Sequence, residues 1–393
     1  MSLAAGESST LHVLTLTPFF PSDRNEVSGC FVAEPIEQFR QFGVDCSVIA
    51  ASPVHYPRRH PISSAPAEWV RYPQLPGTVG LSSAGKLLCA RLLGRVRKLH
   101  SVKPIHVIHA HAALPCGHAA ALLSRHLGIP FVVTVHGLDV FNTCARGGIP
   151  AVWRRKVSID VYTATQNVIC ISSKVQEILK AGTPTRTGST VVHNGVNPTL
   201  FSPNPDALTQ GDPQILVIGS LLESKGHALV LRALGKLASS FPRLQCCIIG
   251  EGRDRTQFEA LVRELGIGQH VQFGARLSRQ GVAEAMRRCS VFVLPSRNEG
   301  LGCVYLEAMA CGKPAIGCRG QGIDEVIAHG KNGWLIPADG LEELVQGLSA
   351  LLGSPELRAR IGTAARQTIL ESLTLSHQAL QLAAVYRQAP AHK

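Results

Sequence analysis

Two carboxylates eight positions apart, Glu299 and Glu307, stand in the segment VFVLPSRNEGLGCVYLEAMACGKPAIG that runs from Val291 to Gly317. The apolar run ending at Pro295 predicts a buried strand. A polar loop with Glu299, Gly300 and Gly302 follows, and a helix begins near Gly302 with Glu307 about five residues inside, ~7.5 Å along its axis. Glycines at such a turn let a ligand approach the backbone, and free N–H groups at the helix start favour an anion such as a diphosphate. The loop carboxylate and the helix carboxylate can then each hold a pair of hydroxyls, one pair on a sugar and one on a ribose. The pattern also fits an acid favouring the helix dipole beside an ordinary exposed acid, and at this point both readings stand.

A second segment, QILVIGSLLESKGHALVLRAL, predicts a strand ending at Gly219, a loop, and a helix opening at about Gly226. Lys225 stands at that helix start, where a cation can meet an incoming phosphate; as a bare pattern it is also an ordinary surface lysine. GSLLESKG misses a phosphate-binding Walker loop, because Ser224 takes the second glycine position and Gly226 replaces the residue that would hold magnesium. In the first half, FVVTVHGLDVF places His136 and Gly137 at a strand end with Asp139 just beyond. IHAHAALPCGH carries His109, His111 and His118, and an HxH pair on a strand puts both rings on one face. Zinc is a weak reading there, since no nearby carboxylate or cysteine completes a ligand set. The polar loop Pro18 to Phe31 offers Gly29 for close approach to a ligand, and HNGVN, His193 to Asn197, reads as an Asn-Gly turn.

These motifs must be positioned by strands followed by helices, and that alternation recurs along the chain. Expected strands are Leu11–Thr17, Asp45–Ala50, Val107–Ala110, Phe131–His136 and Asn167–Ser172, then Gln214–Gly219, Leu244–Gly250, Val271–Phe273, Val291–Pro295 and Pro314–Gly317. Helices are expected at Leu341–Leu352, from Pro355, and at Ser376–Arg387. The stretch with Pro198, Pro203, Pro205 and Pro213 reads as an interdomain linker. The expectation is an α/β protein of two doubly wound domains, residues 1–196 and 197–375, with a terminal helix in 376–393. Ligands in such sheets sit beyond the carboxyl ends of the strands.

Composition agrees: of 393 residues, 45% are hydrophobic and 17% charged, which excludes a disordered or collagen-like chain. The net charge of +12 is uneven, with 19 basic against 10 acidic residues up to Val196. That excess raises the question of an anionic membrane as partner. The stretch GKLLCARLLGRVRKLHSVK, Gly85 to Lys103, holds Lys86, Arg91, Arg95, Arg97, Lys98 and Lys103 and no acid. It reads either as a core-facing amphipathic helix or as a membrane-surface contact. The twelve cysteines are scattered without metal-site spacing and read as reduced, largely buried thiols. With no basic residue before the first apolar stretch and no spanning run, neither secretion nor membrane insertion is expected.

Taken together, SGCF after the first strand, HGLD, HNGVN, SKG, GEG at Gly250 to Gly252, VQFG and EGLGCVYLEAMACGKPAI resemble family 4 of the retaining glycosyltransferases, with Glu299 and Glu307 filling its E-x7-E pattern. The likeness extends to bacterial enzymes of cell-surface polysaccharide assembly. It implies the GT-B architecture, two Rossmann-like domains facing a central cleft, with acceptor binding in the first and donor binding in the second. The terminal helix crosses back to the first domain. By the resemblance, Glu307 holds the nucleotide ribose, Glu299 the donor sugar hydroxyls and Lys225 the diphosphate, with His136 by the donor sugar and Gly29 on the phosphate side. Gly302, Cys303, Val304, Ser220 and Arg276 join the donor contacts, backbone near Gly274 to Leu277 meets the base, and Asp139 and His111 lie on the acceptor side.

The resemblance also implies a hexosyltransferase that uses no metal and no cofactor beyond a nucleotide-diphosphate sugar, with UDP the expected nucleotide. Retention by front-face attack, the leaving phosphate accepting the acceptor's proton, requires no dedicated base. One departure is Ser220, where the family often has Arg; Arg276, Arg297 and Arg319 are available as substitutes. The expected partners are the nucleotide sugar, a saccharide or lipid-linked acceptor and an anionic membrane surface, with no nucleic acid; the expected location is cytoplasmic, peripheral at the inner face of the membrane. The rivals are an epimerase or phosphorylase of the same architecture and a non-catalytic, membrane-associated binding protein that kept the fold.

Overall fold

The computed structural model describes residues 10–62, 67–75, 80–137, 140, 148–183, 188–204 and 213–389. The chain divides into two compact units, Met1–His193 with Leu375–Lys393, and Asn194–Thr374. In the first unit, β1 (Leu11–Thr17), β2 (Val44–Pro53), β3 (Ala67–Tyr72), β4 (Val107–His111), β5 (Phe131–Val135), β6 (Asn167–Cys170) and β7 (Ser189–Val191) form one sheet in the order β3-β2-β1-β4-β5-β6-β7. Its pairings are parallel, as Leu11 with Val44 and Val13 with Val107 illustrate. Every residue of β4 and β5 is buried, as parallel strands covered by helices on both faces require. The helices are α1 (Cys30–Ile36), α2 (Leu81–Val102), α3 (His118–Leu127), α4 (Ile149–Ala164) and α5 (Ser173–Gly182).

The second unit has β8 (Gln214–Ile218), β9 (Gln245–Ile249), β10 (Val271–Gly274), β11 (Val291–Val293), β12 (Ala315–Cys318) and β13 (Trp334–Ile336), ordered β10-β9-β8-β11-β12-β13. Its helices are α6 (His227–Leu237), α7 (Arg255–Glu264), α8 (Arg279–Arg288), α9 (Cys303–Ala310), α10 (Leu341–Gly353) and α11 (Pro355–Ser372). The last helix, α12 (Leu375–Gln388), belongs to the first unit, where Ala379, Leu382, Ala383, Val385 and Tyr386 join a core with Val13, Val32, Ile36 and Phe39.

In each sheet the winding reverses between two neighbouring strands, β1 and β4 in the first and β8 and β11 in the second. Loops leaving such a pair diverge and open a crevice at the carboxyl ends. Three strands were not expected from the sequence: β3, β7 and β13, all at sheet edges. Only one long side of an edge strand is paired, and AEWVRY, STV and WLI carry too short or too polar a pattern to stand out. Conversely, the sixth strand stops at Cys170, because Ser172 turns out to be the N-cap of α5, its hydroxyl accepting from Val175 N–H at 3.1 Å.

Helix α2 settles part of its two readings. Leu88, Leu92 and Val96 are buried, but Leu87 is 40% exposed, and Arg95 is occupied by an ion pair with Glu68. Among the described residues the cysteines are mostly buried, and no helix is long and apolar enough to cross a membrane.

Candidate active site

Lys225 and Glu299 come from the loops that leave β8 and β11, the two strands that flank the reversal point of the second sheet. Lys225 Nζ lies 2.5 Å from Glu299 Oε2, with both side chains largely shielded. The loops are stitched together by backbone: Arg297 N–H donates to Ser224 O at 2.9 Å, and Gly226 packs so closely on Pro295 that a Cβ there would sit 2.2 Å from its carbonyl oxygen. The SKG and NEG segments therefore act as one surface.

Helix α9 starts at Gly302, whose φ of 81° lies in the left-handed region. A Cβ at this point would be 2.5 Å from the ring of buried Tyr305 and 3.0 Å from Glu299 Cγ. Gly302→Ala is therefore expected to lower the stability of the unit by ~1–3 kcal/mol and to displace Glu299, read as a drop in melting temperature together with loss of activity. Tyr305 fills the space beneath the loop and donates its hydroxyl to Leu294 O.

Glu307 lies one turn into α9 and is 3% exposed. Its Oε1 accepts from Arg279 Nη1 at 2.5 Å, whereas Oε2 is buried with no hydrogen-bond partner. A buried carboxylate oxygen without a donor is costly, and hydroxyls of a bound ligand are the kind of donor that would satisfy it. The sequence reading missed Arg279. It is the first residue of α8, after an N-cap at Ser278 whose hydroxyl accepts from Gly281 N–H, and its guanidinium lies 4.7 Å from the Phe201 ring centroid. The Ser278 cap was a legible signal that a helix starts here; the pairing with Glu307, 28 residues away, was not.

A second missed contact is Asn194, read as part of a turn. Its buried side chain donates to Cys303 Sγ at 3.3 Å and braces the first residue of α9. Asn197 of the same motif does make a turn, its side-chain Oδ1 accepting from Thr199 and Leu200 N–H. Val304, next in α9, is half-buried. Ser220 is exposed, and its carbonyl accepts from buried His227. Arg276 is half-exposed and 3.4 Å from Glu251, while Arg297 pairs with Asp339 at 2.8 Å.

In the first unit, His111 at the end of β4 and His136 just after β5 are joined by an Nδ1 to Nε2 hydrogen bond of 2.9 Å, with rings stacked at 5.1 Å. Phe31 and Phe19 pack on His136. Behind them His109 has both ring nitrogens engaged, Nε2 with Thr134 Oγ1 and Nδ1 with Tyr386 Oη, each at 2.7 Å. The HxH pair thus belongs to a hydrogen-bonded cluster, and among the described residues no group of three His, Cys, Asp or Glu is arranged to hold a metal. Gly29 caps α1 with φ 80°, where a Cβ would stand 2.4 Å from the Phe19 carbonyl carbon, so the chain's own backbone demands glycine here. Asp139 lies outside the described residues.

Burial, reinforced by neighbouring His136, holds His109 down to about 3, and burial likewise depresses His111. The unfolded chain takes up these protons near pH 6.5, whereas the folded unit resists them. Stability is therefore full above about 6.5 and falls as the pH drops towards about 3. Thermal unfolding across that window is expected to show the decline, and His109→Gln to flatten it by about one proton's worth of slope.

Two parallel sheets, each with motifs at its strand ends, are the two Rossmann-like domains of the GT-B architecture. Residues 201–368 match the model described as glycosyl transferases group 1, and residues 31–200 match glycosyltransferase family 4. An uncharacterized glycosyltransferase of Methanocaldococcus jannaschii is 31% identical over 66% of this chain and 68% of its own. Alpha-maltose-1-phosphate synthase of Mycolicibacterium smegmatis is 26% identical over 97% of this chain and 100% of its own. Among solved structures, sucrose-phosphate synthase from Thermosynechococcus elongatus shares the fold with TM-score 0.80 at 20% identity, covering 96% of this chain and 98% of that one. Anabaena HepE in complex with UDP and glucose shares it with TM-score 0.75 at 17% identity, covering 96% and 99%. The chain belongs to glycosyltransferase family 4 and is a glycosyltransferase acting on sugar donors.

Proposed function

We propose that this glycosyltransferase moves a sugar from a nucleotide-diphosphate sugar, with UDP as the nucleotide, to an acceptor hydroxyl, with retention and without a metal. The acceptor is a saccharide or a lipid-linked saccharide of cell-surface polysaccharide or glycolipid synthesis, met at the cytoplasmic face of an anionic membrane. The observation that carries the reading is the pair of carboxylates around the start of α9: Glu299 matched to Lys225, and Glu307 with one oxygen on Arg279 and the other lacking a donor. In this reading the ribose hydroxyls donate to Glu307 Oε2. The sugar hydroxyls donate to Glu299, and the diphosphate takes up the charge of Lys225 beside the α9 N-terminus, so that cations and backbone N–H groups stabilise the leaving group. The solved complexes of HepE with UDP and with UDP-glucose support the choice of nucleotide.

A thermal-shift series with UDP, GDP, ADP and dTDP tests it. A nucleotide at 100 times its Kd adds ~2.7 kcal/mol, a shift of a few degrees, and UDP is expected to give the largest. Transfer that persists in chelator and yields a product of unchanged anomeric configuration is expected for the mechanism; an inverted product or loss of activity on chelation would contradict it.

A further inference from the structure

The first unit carries a groove of about 430 Å³ on the helical layer formed by α2, α3 and α4. Its lining includes Lys86 of α2, His118 and Arg125 of α3, and Trp153, Lys156 and Asp160 of α4. Lys86, Arg125 and Lys156 are exposed, and the single carboxylate, Asp160, is a loose 3.9 Å from Lys156. Trp153 lines the groove, and the first turns of α4 hold it out together with Ile149 and Val152, the three being 49%, 87% and 65% exposed. Their spacing of three and one puts them on one side of the helix. A soluble anion would account for the cations but not for large apolar side chains left in water beside them. Cations combined with an exposed Trp, Ile and Val suit a surface that presents phosphate outside and hydrocarbon beneath.

We propose that this groove and the α4 tip form the docking face for an anionic phospholipid bilayer, Lys86, Arg125 and Lys156 meeting headgroup phosphates and Ile149, Val152 and Trp153 entering the interface. The basic stripe of α2 alone does not suffice, since Arg95 is taken by Glu68. Topology gives the docking a purpose. In the parallel sheet the α4 N-terminus lies at the carboxyl end, the end at which His111 and His136 stand. A bilayer held there presents a lipid-linked acceptor to that end of the unit. The docking deepens the membrane contact of the reading above and rests on it, as its purpose rests on the lipid-linked acceptor.

The test is sedimentation of the full chain at low salt with vesicles of phosphatidylcholine alone and of equal parts phosphatidylcholine and phosphatidylglycerol. Two exposed variants are compared, Lys86→Glu/Arg125→Glu/Lys156→Glu and Ile149→Ser/Trp153→Ser, with thermal unfolding and UDP binding as controls for folding. Wild type is expected to bind only the anionic vesicles, the charge variant to lose on the order of 100-fold in partitioning, and the apolar variant to lose about 10-fold. Wild type that ignores the anionic vesicles overturns the proposal. So does a charge variant that binds like wild type, or an apolar variant that does, since the latter marks diffuse electrostatic attraction. Vesicle binding without transfer to any lipid-linked acceptor leaves the docking face standing and removes the acceptor reading.

Discussion

Lys225→Ala is expected to lower turnover by ~100-fold or more, as does the loss of one oriented donor to a developing anion. The reason is positional. Lys225 stands where the loops from β8 and β11 meet, its ammonium 2.5 Å from Glu299 Oε2. When a diphosphate departs, a cation already desolvated and aimed stabilises the new charge without reorganisation, and no arginine follows Gly219 to share the task, because Ser220 stands there. Binding of the intact donor should suffer less than turnover, since the charge on the leaving group grows in the transition state. Single-turnover kinetics with UDP-sugar, after a melting curve has shown the variant folded, decide the point. A rate within a few-fold of wild type would move leaving-group stabilisation to another residue.

Glu307 and Glu299 are expected to separate when affinity is measured for UDP and for UDP-sugar. Glu307→Ala should weaken both alike, by roughly 1.5–3 kcal/mol for each hydrogen bond lost to a charged group, because its open Oε2 is the one assigned to the ribose. The same substitution takes a carboxylate away from Arg279, whose side chain is 16% exposed, so a lower melting temperature should accompany it. Glu299→Ala releases Lys225 from its carboxylate, so affinity for free UDP should not fall. Its loss should appear with UDP-sugar and above all in kcat, since hydroxyl contacts that tighten as the sugar gains positive charge act on the transition state. Calorimetry with both variants and both ligands settles the division; equal losses for Glu299→Ala with UDP and with UDP-sugar would contradict it.

The inner strands were legible because each is an apolar run bounded by turn residues, and β1 starts and ends where its pattern does. Glu299, Gly302 and Glu307 were legible for a related reason: they are local to one strand, loop and helix, where spacing along the chain translates directly into position. The edge strands β3, β7 and β13 were not, since what makes them strands is the neighbour they pair with, not their own composition. The two readings of α2 could not be separated by its periodicity either, as Leu87 belongs to the apolar stripe in sequence but sits 40% exposed in space.

The amino-acid sequence by itself determined the α/β class, the existence of two doubly wound sheets, the strand-end placement of Lys225, His136 and the two glutamates, and the family, because each rests on short-range pattern or on motif order. Tertiary structure alone decided the partners. It joined Lys225 to Glu299 across 74 residues, Glu307 to Arg279 across 28, Asn194 to Cys303 across 109, and Tyr386 of the last helix to His109 across 277. Such pairings arise where a parallel sheet brings distant strand ends side by side, and nothing in the local propensity of either residue specifies the other.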